Sequence, residues 1–211
     1  MRRLPVYLVL DVSGSMHGEP IEAVRNGVQL LVSSLRSDPY ALETAYLSII
    51  TFGADAQQVV PLTELVAFQV PDIEANGQTA FGDALRCVKS CIEREVTTSS
   101  AEAKGDWKPL VFIMTDGVPT DDWRAQLADF KALKTGQVIA CAAGPGADTS
   151  MLKEVTETVV LLDTADSATI QAFFKWVSSS ISTSSKKVDL DKSDVSSAAE
   201  LPPPPPEITL V

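Results

Sequence analysis

The 211-residue sequence predicts an α/β fold, in which a doubly wound, mostly parallel central sheet has helices on both faces and an antiparallel edge strand. Two observations support this prediction. Short apolar segments rich in Val, Leu and Ile are bounded by turn residues, which is typical of buried strands. Longer segments between them repeat apolar residues at helical spacing. Strands separated by helices of this length form parallel sheets that are covered on both faces.

Six strands are predicted from the apolar segments. The first, residues 4–10, is an uninterrupted apolar run that ends at Asp11. Residues 57–62 follow a turn near Gly53 and form the second arm of a hairpin. Pro61 places that arm at the sheet edge, because proline cannot donate to a strand ladder. The predicted strands comprise residues 4–10, 44–52, 57–62, 110–115, 137–143 and 159–162.

Five helices are predicted between and after these strands. In residues 19–36 the apolar side chains recur at helical spacing, and Pro20 suits a first helical turn. Thr79 stands where a helix N-cap is expected, since it precedes another amphipathic pattern. The predicted helices comprise residues 19–36, 79–96, 123–134, 150–156 and 167–183.

The chain is predicted to divide into a domain of residues 1–185 and a tail of residues 186–211. The composition changes at this point to Ser, Asp and Lys, and residues 202–206 are all Pro. A proline run adopts a stiff polyproline II conformation without backbone donors. Two interpretations of the tail stay open: a disordered segment, or a docking segment whose apolar end, residues 208–211, binds a partner or folds back.

The composition favours a protein that binds neither nucleic acid nor membranes. The formal net charge is −11, which repels nucleic acid and anionic lipid. No apolar stretch reaches the roughly 18 residues that span a bilayer. Asp11 interrupts the first apolar run and no small-residue cleavage site precedes it, so we interpret that run as the first strand of a cytoplasmic protein. The three Cys, including Cys87 and Cys91, are interpreted as core thiols.

Oxygen-bearing side chains follow the first and fourth predicted strands and open the second predicted helix. They are Asp11, Ser13 and Ser15 in the first loop, Thr79 in the second and Asp116 in the third. Because open α/β sheets bind ligands at the carboxyl ends of their strands, we expect these loops to meet there. Two carboxylates and three hydroxyls suit a hard cation, Mg²⁺ or Mn²⁺, with a coordination position for an incoming ligand. Taken singly, each residue is also common in turns and caps.

The three loops resemble those of a known family. Asp11-Val12-Ser13-Gly14-Ser15-Met16, the loop around Thr79 and Met114-Thr115-Asp116-Gly117 are similar in order and spacing to the metal-ion-dependent adhesion site (MIDAS) of the von Willebrand factor A fold. The resemblance covers residues 4–184. It implies that the three hydroxyls bind a metal, that the two carboxylates act directly or through water, and that a partner's Asp or Glu completes the coordination.

Residues 115–123 are further similar to those of short cytoplasmic members of that fold, the tellurite-resistance TerY group. That resemblance implies a bacterial metal-stress system in which the protein works with a kinase and a phosphatase. The predicted function is therefore a non-enzymatic, metal-dependent protein-binding module.

Two other functions stay open from the sequence. Asp11 is a possible aspartyl nucleophile of a Mg²⁺-dependent phosphoryl-transfer enzyme, although Ser13 and Ser15 stand where such enzymes usually carry a second carboxylate. A scaffold that binds through its proline-rich tail is the other alternative.

Several charged residues near the loops have simpler interpretations. Asp121 and Asp122 either extend an acidic rim or begin a solvated helix. Glu19 and Asp83 fall in first helical turns, where acids interact favourably with the helix dipole without any ligand role. His17, the single histidine, is expected to be exposed and incidental.

Overall fold

The computed structural model describes residues 2–190 and 201–211. Within these ranges the strands are β1 (Leu4–Asp11), β2 (Ala45–Phe52), β3 (Ala56–Glu64), β4 (Leu110–Thr115), β5 (Gln137–Ala143), β6 (Thr158–Leu162) and β7 (Thr209–Leu210). The helices are α1 (Glu19–Arg36), α2 (Pro39–Thr44), α3 (Phe81–Glu95), α4 (Arg124–Lys131), α5 (Thr149–Val155) and α6 (Ser167–Leu190). A 3₁₀ turn, Gly14–Met16, lies between β1 and α1.

The strands form one sheet in the order β3-β2-β1-β4-β5-β6-β7. Strands β2, β1, β4, β5 and β6 are parallel, whereas β3 and β7 pair antiparallel at the two edges. The predicted class, a doubly wound and mostly parallel sheet with an antiparallel edge strand, is confirmed. The second antiparallel edge strand, β7, is not among the predicted elements.

Helices cover both faces of the sheet, which explains why its central strands β1 and β4 are almost entirely apolar. All eight residues of β1 are buried, since one face packs against α1 and α6 and the other against α3. Helices α1 and α6 lie so close that a Cβ placed on Gly27 would collide with the ring of Phe174. No helix within residues 2–190 and 201–211 has both the length and the apolar character needed to cross a membrane.

Most predicted element boundaries agree with the structure to within two residues. Apart from the unpredicted strand β7, the larger differences concern helices. Helix α2 was not predicted, although Asp38 accepts hydrogen bonds from Tyr40 N and Ala41 N and Pro39 occupies its first position. These are ordinary start signals, but the helix has only six residues and shows no apolar periodicity. Helix α4 ends at Lys131, three residues before its predicted end.

Helix α6 crosses the predicted boundary between domain and tail. It was predicted to end at residue 183 and continues to Leu190, because Val188 adds one more buried apolar side chain on the same helix. The boundary proposed at residue 185 therefore lies inside a helix. The separation of residues 1–185 and 186–211 into two units stays a prediction, and residues 191–200 lie outside the described residues.

The apolar end of the chain folds back onto the domain. Trp176 Nε1 donates a hydrogen bond of 2.9 Å to Pro202 O. Ile208 is only 5% exposed and belongs to the core that α1 and α6 build on the sheet. Beyond it, β7 pairs with β6, and Val211 N donates to Val159 O at 3.0 Å. Of the interpretations left open for this segment, folding back is the one observed.

The packing of the chain end predicts different effects for two neighbouring substitutions. Ile208→Ala should lower the free energy of unfolding by about 2–5 kcal/mol, because it leaves a cavity in the core. Leu210→Ala, at a side chain that is 51% exposed, should change it by no more than about 0.5 kcal/mol. Urea unfolding followed by circular dichroism measures both. Equal effects of the two substitutions would contradict the observed packing.

Candidate metal centre

The candidate site lies at the carboxyl edge of the sheet, in the crevice between β1 and β4. Strand β2 lies on one side of β1 and β4 on the other, so the strand order reverses at this point. Open α/β sheets bind ligands in such a crevice. Asp11 is the last residue of β1, and Asp116 directly follows Thr115, the last residue of β4. The sheet therefore brings together two carboxylates that are far apart in the sequence.

Asp11 is completely buried, and both of its carboxylate oxygens accept hydrogen bonds. Ser13 N donates to Oδ1 at 2.8 Å, which turns the chain sharply after β1. Thr115 Oγ1 donates to Oδ2 at 2.5 Å. Because Thr115 belongs to the neighbouring strand, this second hydrogen bond attaches the β1 loop to β4.

Three further oxygen atoms form a chain of contacts across the crevice. Ser13 Oγ and Ser15 Oγ are 3.0 Å apart, and Ser15 Oγ donates to Asp116 Oδ1 at 2.7 Å. Ser13 directly precedes the 3₁₀ turn and Ser15 lies within it. The buried side chain of Met16 anchors this turn, and the turn fixes the positions of both serines. The candidate residues of the first and third loops are therefore in direct contact.

The prediction that Thr79 caps a helix is wrong. Helix α3 begins two residues further on, and the residue immediately before it provides no side-chain cap. The N–H groups of Gly82 and Asp83 donate instead to the two carboxylate oxygens of Asp121, at 2.9 and 3.0 Å. Since another loop supplies the cap, the hydroxyl of Thr79 is not needed at the helix terminus.

The hydroxyl of Thr79 faces a small space next to the other two loops. A Cβ placed on Gly117 would lie 3.3 Å from Thr79 Oγ1 and 3.9 Å from Ser15 Oγ, so any side chain at residue 117 would narrow this space. Thr79 N donates to Thr120 Oγ1 at 3.2 Å, and Thr120 N donates to Thr79 O at 3.0 Å. These two bonds attach the Thr79 loop to the segment that follows Asp116.

The loop before Thr79 also contacts the β1 loop through its backbone. Gly14 N donates to Gly77 O at 2.9 Å, and Asn76 N donates to Val12 O at 2.6 Å. Gly77 adopts a φ of +86°, and a Cβ there would come within 2.6 Å of Ala54 N. Glycine is therefore required at this position, both for the backbone conformation and for the close approach.

Burial gives both carboxyl groups a higher affinity for protons than an exposed Asp has. The pKa of Asp11 is raised mainly because burial disfavours its charge; hydrogen bonds from Ser13 and Thr115 oppose the shift and nearby Asp116 adds to it. The pKa of Asp116 is also raised by burial, and the hydrogen bond from Ser15 partly offsets this. It costs free energy to keep both carboxylates ionised. A cation bound between them offsets this cost and is therefore favoured.

Three residues position the site in ways that the sequence did not predict. They are Thr115, which holds Asp11, and Thr120 and Asp121, which hold the Thr79 loop and the start of α3. Asp121 was expected on an acidic rim or at a solvated helix start and is a helix cap instead. All three are polar residues at or shortly after the end of β4, but their bonding partners lie about 40 to 100 residues away in the sequence.

The other charged residues near the loops are engaged elsewhere or exposed. Glu19 accepts a hydrogen bond of 3.0 Å from Ser167 N, and Asp83 pairs with exposed Arg86. His17 is exposed, as expected. Within residues 2–190 and 201–211, no three His, Cys, Asp or Glu side chains are grouped closely enough to hold a metal ion. An ion in this crevice would therefore depend on the hydroxyl groups.

Comparison with known proteins identifies the family. The profile of the von Willebrand factor type A domain matches residues 6–183. The chain belongs to the von Willebrand factor type A family. The match runs from β1 into α6 and includes all three loops of the candidate site. The family expected from the loop sequences is therefore confirmed.

Individual proteins that are similar to this chain share limited sequence with it. An uncharacterised protein of Synechocystis sp. is 31% identical over 123 residues, covering 55% of this chain and 26% of that protein. Proximal thread matrix protein 1 of the mussel byssus, in a structure with a zinc-occupied MIDAS motif, has a TM-score of 0.61 at 19% identity. The pilus adhesin SpaC of Lactobacillus rhamnosus GG has a TM-score of 0.68 at 15% identity.

These relatives are longer than the chain. The match covers 84% of this chain and 48% of the byssus protein, and 87% of this chain and 31% of the adhesin. The chain thus spans about a quarter of the Synechocystis protein and less than half of either structure. At these low identities the two structures show a shared fold.

The cap of α3 predicts a stability difference between two adjacent acids. Asp121→Ala should lower the free energy of unfolding by about 0.5–2 kcal/mol, because two N–H groups lose their acceptor. Asp122→Ala is the matched control, since Asp122 is exposed and should contribute no more than about 0.5 kcal/mol. Urea unfolding compares the two variants. An unchanged stability of Asp121→Ala would show that its carboxylate does not cap the helix.

Proposed function

We propose that this protein is a metal-dependent protein-binding module, in which a divalent cation at the carboxyl edge of the sheet recruits a carboxylate of a partner. The observation that carries the proposal is the grouping of oxygen donors from three separate loops in one crevice. The proposed ligands, acting directly or through water, are Asp11, Ser13, Ser15, Thr79 and Asp116.

The spacing of these donors suits a small, hard cation. Neighbouring ligand oxygens of an octahedral Mg²⁺ ion are about 2.8–3.0 Å apart, given bonds of about 2.0–2.1 Å. The oxygen separations from Ser15 to Ser13 and to Asp116 are 3.0 and 2.7 Å, close to this range. Carboxylate and hydroxyl oxygens favour Mg²⁺ or Mn²⁺. The zinc-occupied MIDAS motif of the byssus protein supports a divalent cation in general.

The charge of the donor set favours an anionic partner group. Both oxygens of Asp11 are already hydrogen-bonded within the protein, which favours a contact with the cation through water. The hydroxyl ligands are neutral, so Asp116 would be the single carboxylate in direct contact. A divalent cation held in this way keeps a net positive charge and attracts a carboxylate. Ser15 is exposed, so a partner can reach this side of the crevice.

The phosphoryl-transfer alternative is less well supported. Von Willebrand factor type A domains are typically interaction modules and not enzymes. In this chain Asp11 is completely buried and hydrogen-bonded through both oxygens, which is a poor position for a nucleophile. The loop positions beside it hold Ser13 and Ser15, whereas nucleophilic catalysis by Asp needs a base or acid close by.

A more specific role is proposed on the resemblance to the TerY group alone. On that basis the partner belongs to a bacterial metal-stress system that includes a kinase and a phosphatase, and the protein acts in the cytoplasm. The structural likeness to an adhesin and to a byssus protein concerns the fold and does not bear on this role.

The first expected outcome concerns metal binding. Mg²⁺ or Mn²⁺ should stabilise the wild-type protein against thermal unfolding, by about 2.7 kcal/mol at a concentration of 100 times Kd, because the ion binds only the folded state. Asp116→Asn should lose this gain. In EDTA the same variant should be at least as stable as wild type, since a half-buried carboxylate no longer has to be ionised. Asp122→Asn, an exposed acid of the same loop, should keep the gain.

The stabilisation by metal should decline as the pH falls below neutral. Because burial raises the pKa of Asp11 and of Asp116, protons compete with the cation at a higher pH than they would at an ordinary Asp. In EDTA the sign is opposite: the folded state binds these protons more readily than the unfolded state, so both groups add stability as the pH falls. A metal effect that survives in Asp116→Asn would contradict the proposed site.

The second expected outcome concerns recognition of a carboxylate. Peptides selected from a displayed random library in Mg²⁺ should carry Asp or Glu, and EDTA should release them without unfolding the protein, as circular dichroism can verify. Asp11→Asn in the protein, or Asp→Asn in the peptide, should weaken binding by about tenfold or more, equivalent to about 1.4 kcal/mol. A scaffold that binds through its tail predicts the reverse: binding that survives both EDTA and Asp11→Asn.

A further inference from the structure

A cavity of about 380 Å³ opens beside the candidate metal centre, over the carboxyl end of β2 and the start of β3. Its lining comes from the β1 loop, from the turn between β2 and β3 and from the loop that precedes α3. Val12 lines the cavity and stands between two proposed metal ligands, Asp11 and Ser13. The hydrogen bond from Asn76 N to Val12 O joins the other wall to the same loop. The cavity and the metal crevice are therefore neighbouring parts of one surface.

The cavity combines an apolar floor with an acidic rim. Val59 and Ile73 contribute apolar surface, and the side chains of Asp55, Asp72 and Glu74 contribute carboxylates. No Lys, Arg or His is among the described residues that line it. An apolar floor and a negatively charged rim match a long aliphatic side chain that ends in a cation.

Two of the three rim carboxylates have no partner in the part of the chain that the structure describes. Asp72 pairs with Arg25 at 2.5 Å. Asp55 and Glu74 are exposed and make no side-chain hydrogen bond or ion pair among residues 2–190 and 201–211. These two acids are therefore available to a cationic group from outside, and their charge complements it.

We propose that this cavity binds a Lys or Arg side chain of the same partner segment that presents its carboxylate to the metal. The inference rests on the proposed function and adds a requirement to it: the partner carries a basic residue close to its metal-binding Asp or Glu. Asp55 and Glu74 recognise the cationic end, while Val12 and Val59 contact the aliphatic part. A volume of about 380 Å³ is at the lower end of the usual range for ligand pockets, roughly 300–1,000 Å³.

The sheet geometry sets the spacing between the two partner residues. The metal crevice lies between β1 and β4 and the cavity lies over β2 and β3, two strand positions away. Strands are about 4.8 Å apart, so the two sites are separated by about 10 Å. An extended peptide rises about 3.3 Å per residue. About 10 Å corresponds to three residues of an extended peptide, and a separation of two is also allowed because the long Lys or Arg side chain spans part of the distance.

A displayed peptide library with one fixed Asp and randomised neighbours tests this spacing. Selection in Mg²⁺ should enrich Lys or Arg two or three positions from the Asp, and not at more distant positions. In synthetic copies of the selected peptides, replacing that Lys by norleucine removes the charge but keeps the aliphatic stem. The replacement should weaken binding about fivefold, as expected for a pair of partly exposed charge contacts.

The protein variants separate a specific cavity from general attraction to an acidic protein. Asp55→Asn combined with Glu74→Gln should remove the preference for Lys or Arg and leave metal-dependent binding of the Asp intact. Glu43→Gln combined with Glu102→Gln is the matched control, because it removes the same charge from exposed acids near the amino edge of the sheet. This control should keep the preference.

The possible outcomes distinguish the two proposals. Metal-dependent binding of the Asp without a basic preference overturns the cavity assignment and leaves the proposed function standing. A basic preference that survives in Asp55→Asn with Glu74→Gln, or that disappears in the control, also overturns the assignment. Absence of any metal-dependent binding overturns both. Position-specific enrichment that only the cavity variant loses supports the inference.

Discussion

The hydrogen bond from Thr115 to the buried carboxylate of Asp11 connects the two strands on which the candidate centre stands. The side chain of Asp11 is not exposed to solvent. The hydrogen bond is therefore stronger than the same bond would be in water. The second oxygen of Asp11 holds the backbone of Ser13. The position of the β1 loop relative to β4 therefore depends on one carboxylate, and so does the approach of Ser15 to Asp116.

The segment after β4 both contributes a proposed ligand and supports the neighbouring loop. The sequence alone does not show which of its residues does which. Asp116 contributes an oxygen to the crevice, while Thr120 and Asp121 support the neighbouring loop and the start of α3. Because Asp121 satisfies the N–H groups at the helix terminus, Thr79 can direct its hydroxyl to the crevice. A cap provided from a different loop thus couples the stability of α3 to the arrangement of the proposed ligands.

The local pattern of apolar and polar residues was sufficient to predict most of the secondary structure. Strands β4 and β5 and helix α1 were predicted with their observed bounds. Burial on both faces makes these strands almost entirely apolar, and burial on one side gives the helix its periodicity. Strand β7 has two residues and exists only through its pairing with β6, so no local pattern could show it. The same holds for the contact of Trp176 with Pro202.

The sequence by itself determined the class of the fold and the order of the three loops, and it predicted the five oxygen-bearing residues that we propose as ligands. Only the tertiary structure decided which carboxylate is buried, which acid caps α3, and that the chain end covers the sheet edge beside β6. The acidic cavity next to the crevice likewise appears only when three loops are assembled. The physical reason is that hydrogen bonds and cavities join residues from distant parts of the chain, whereas periodicity and composition report only on neighbours along it.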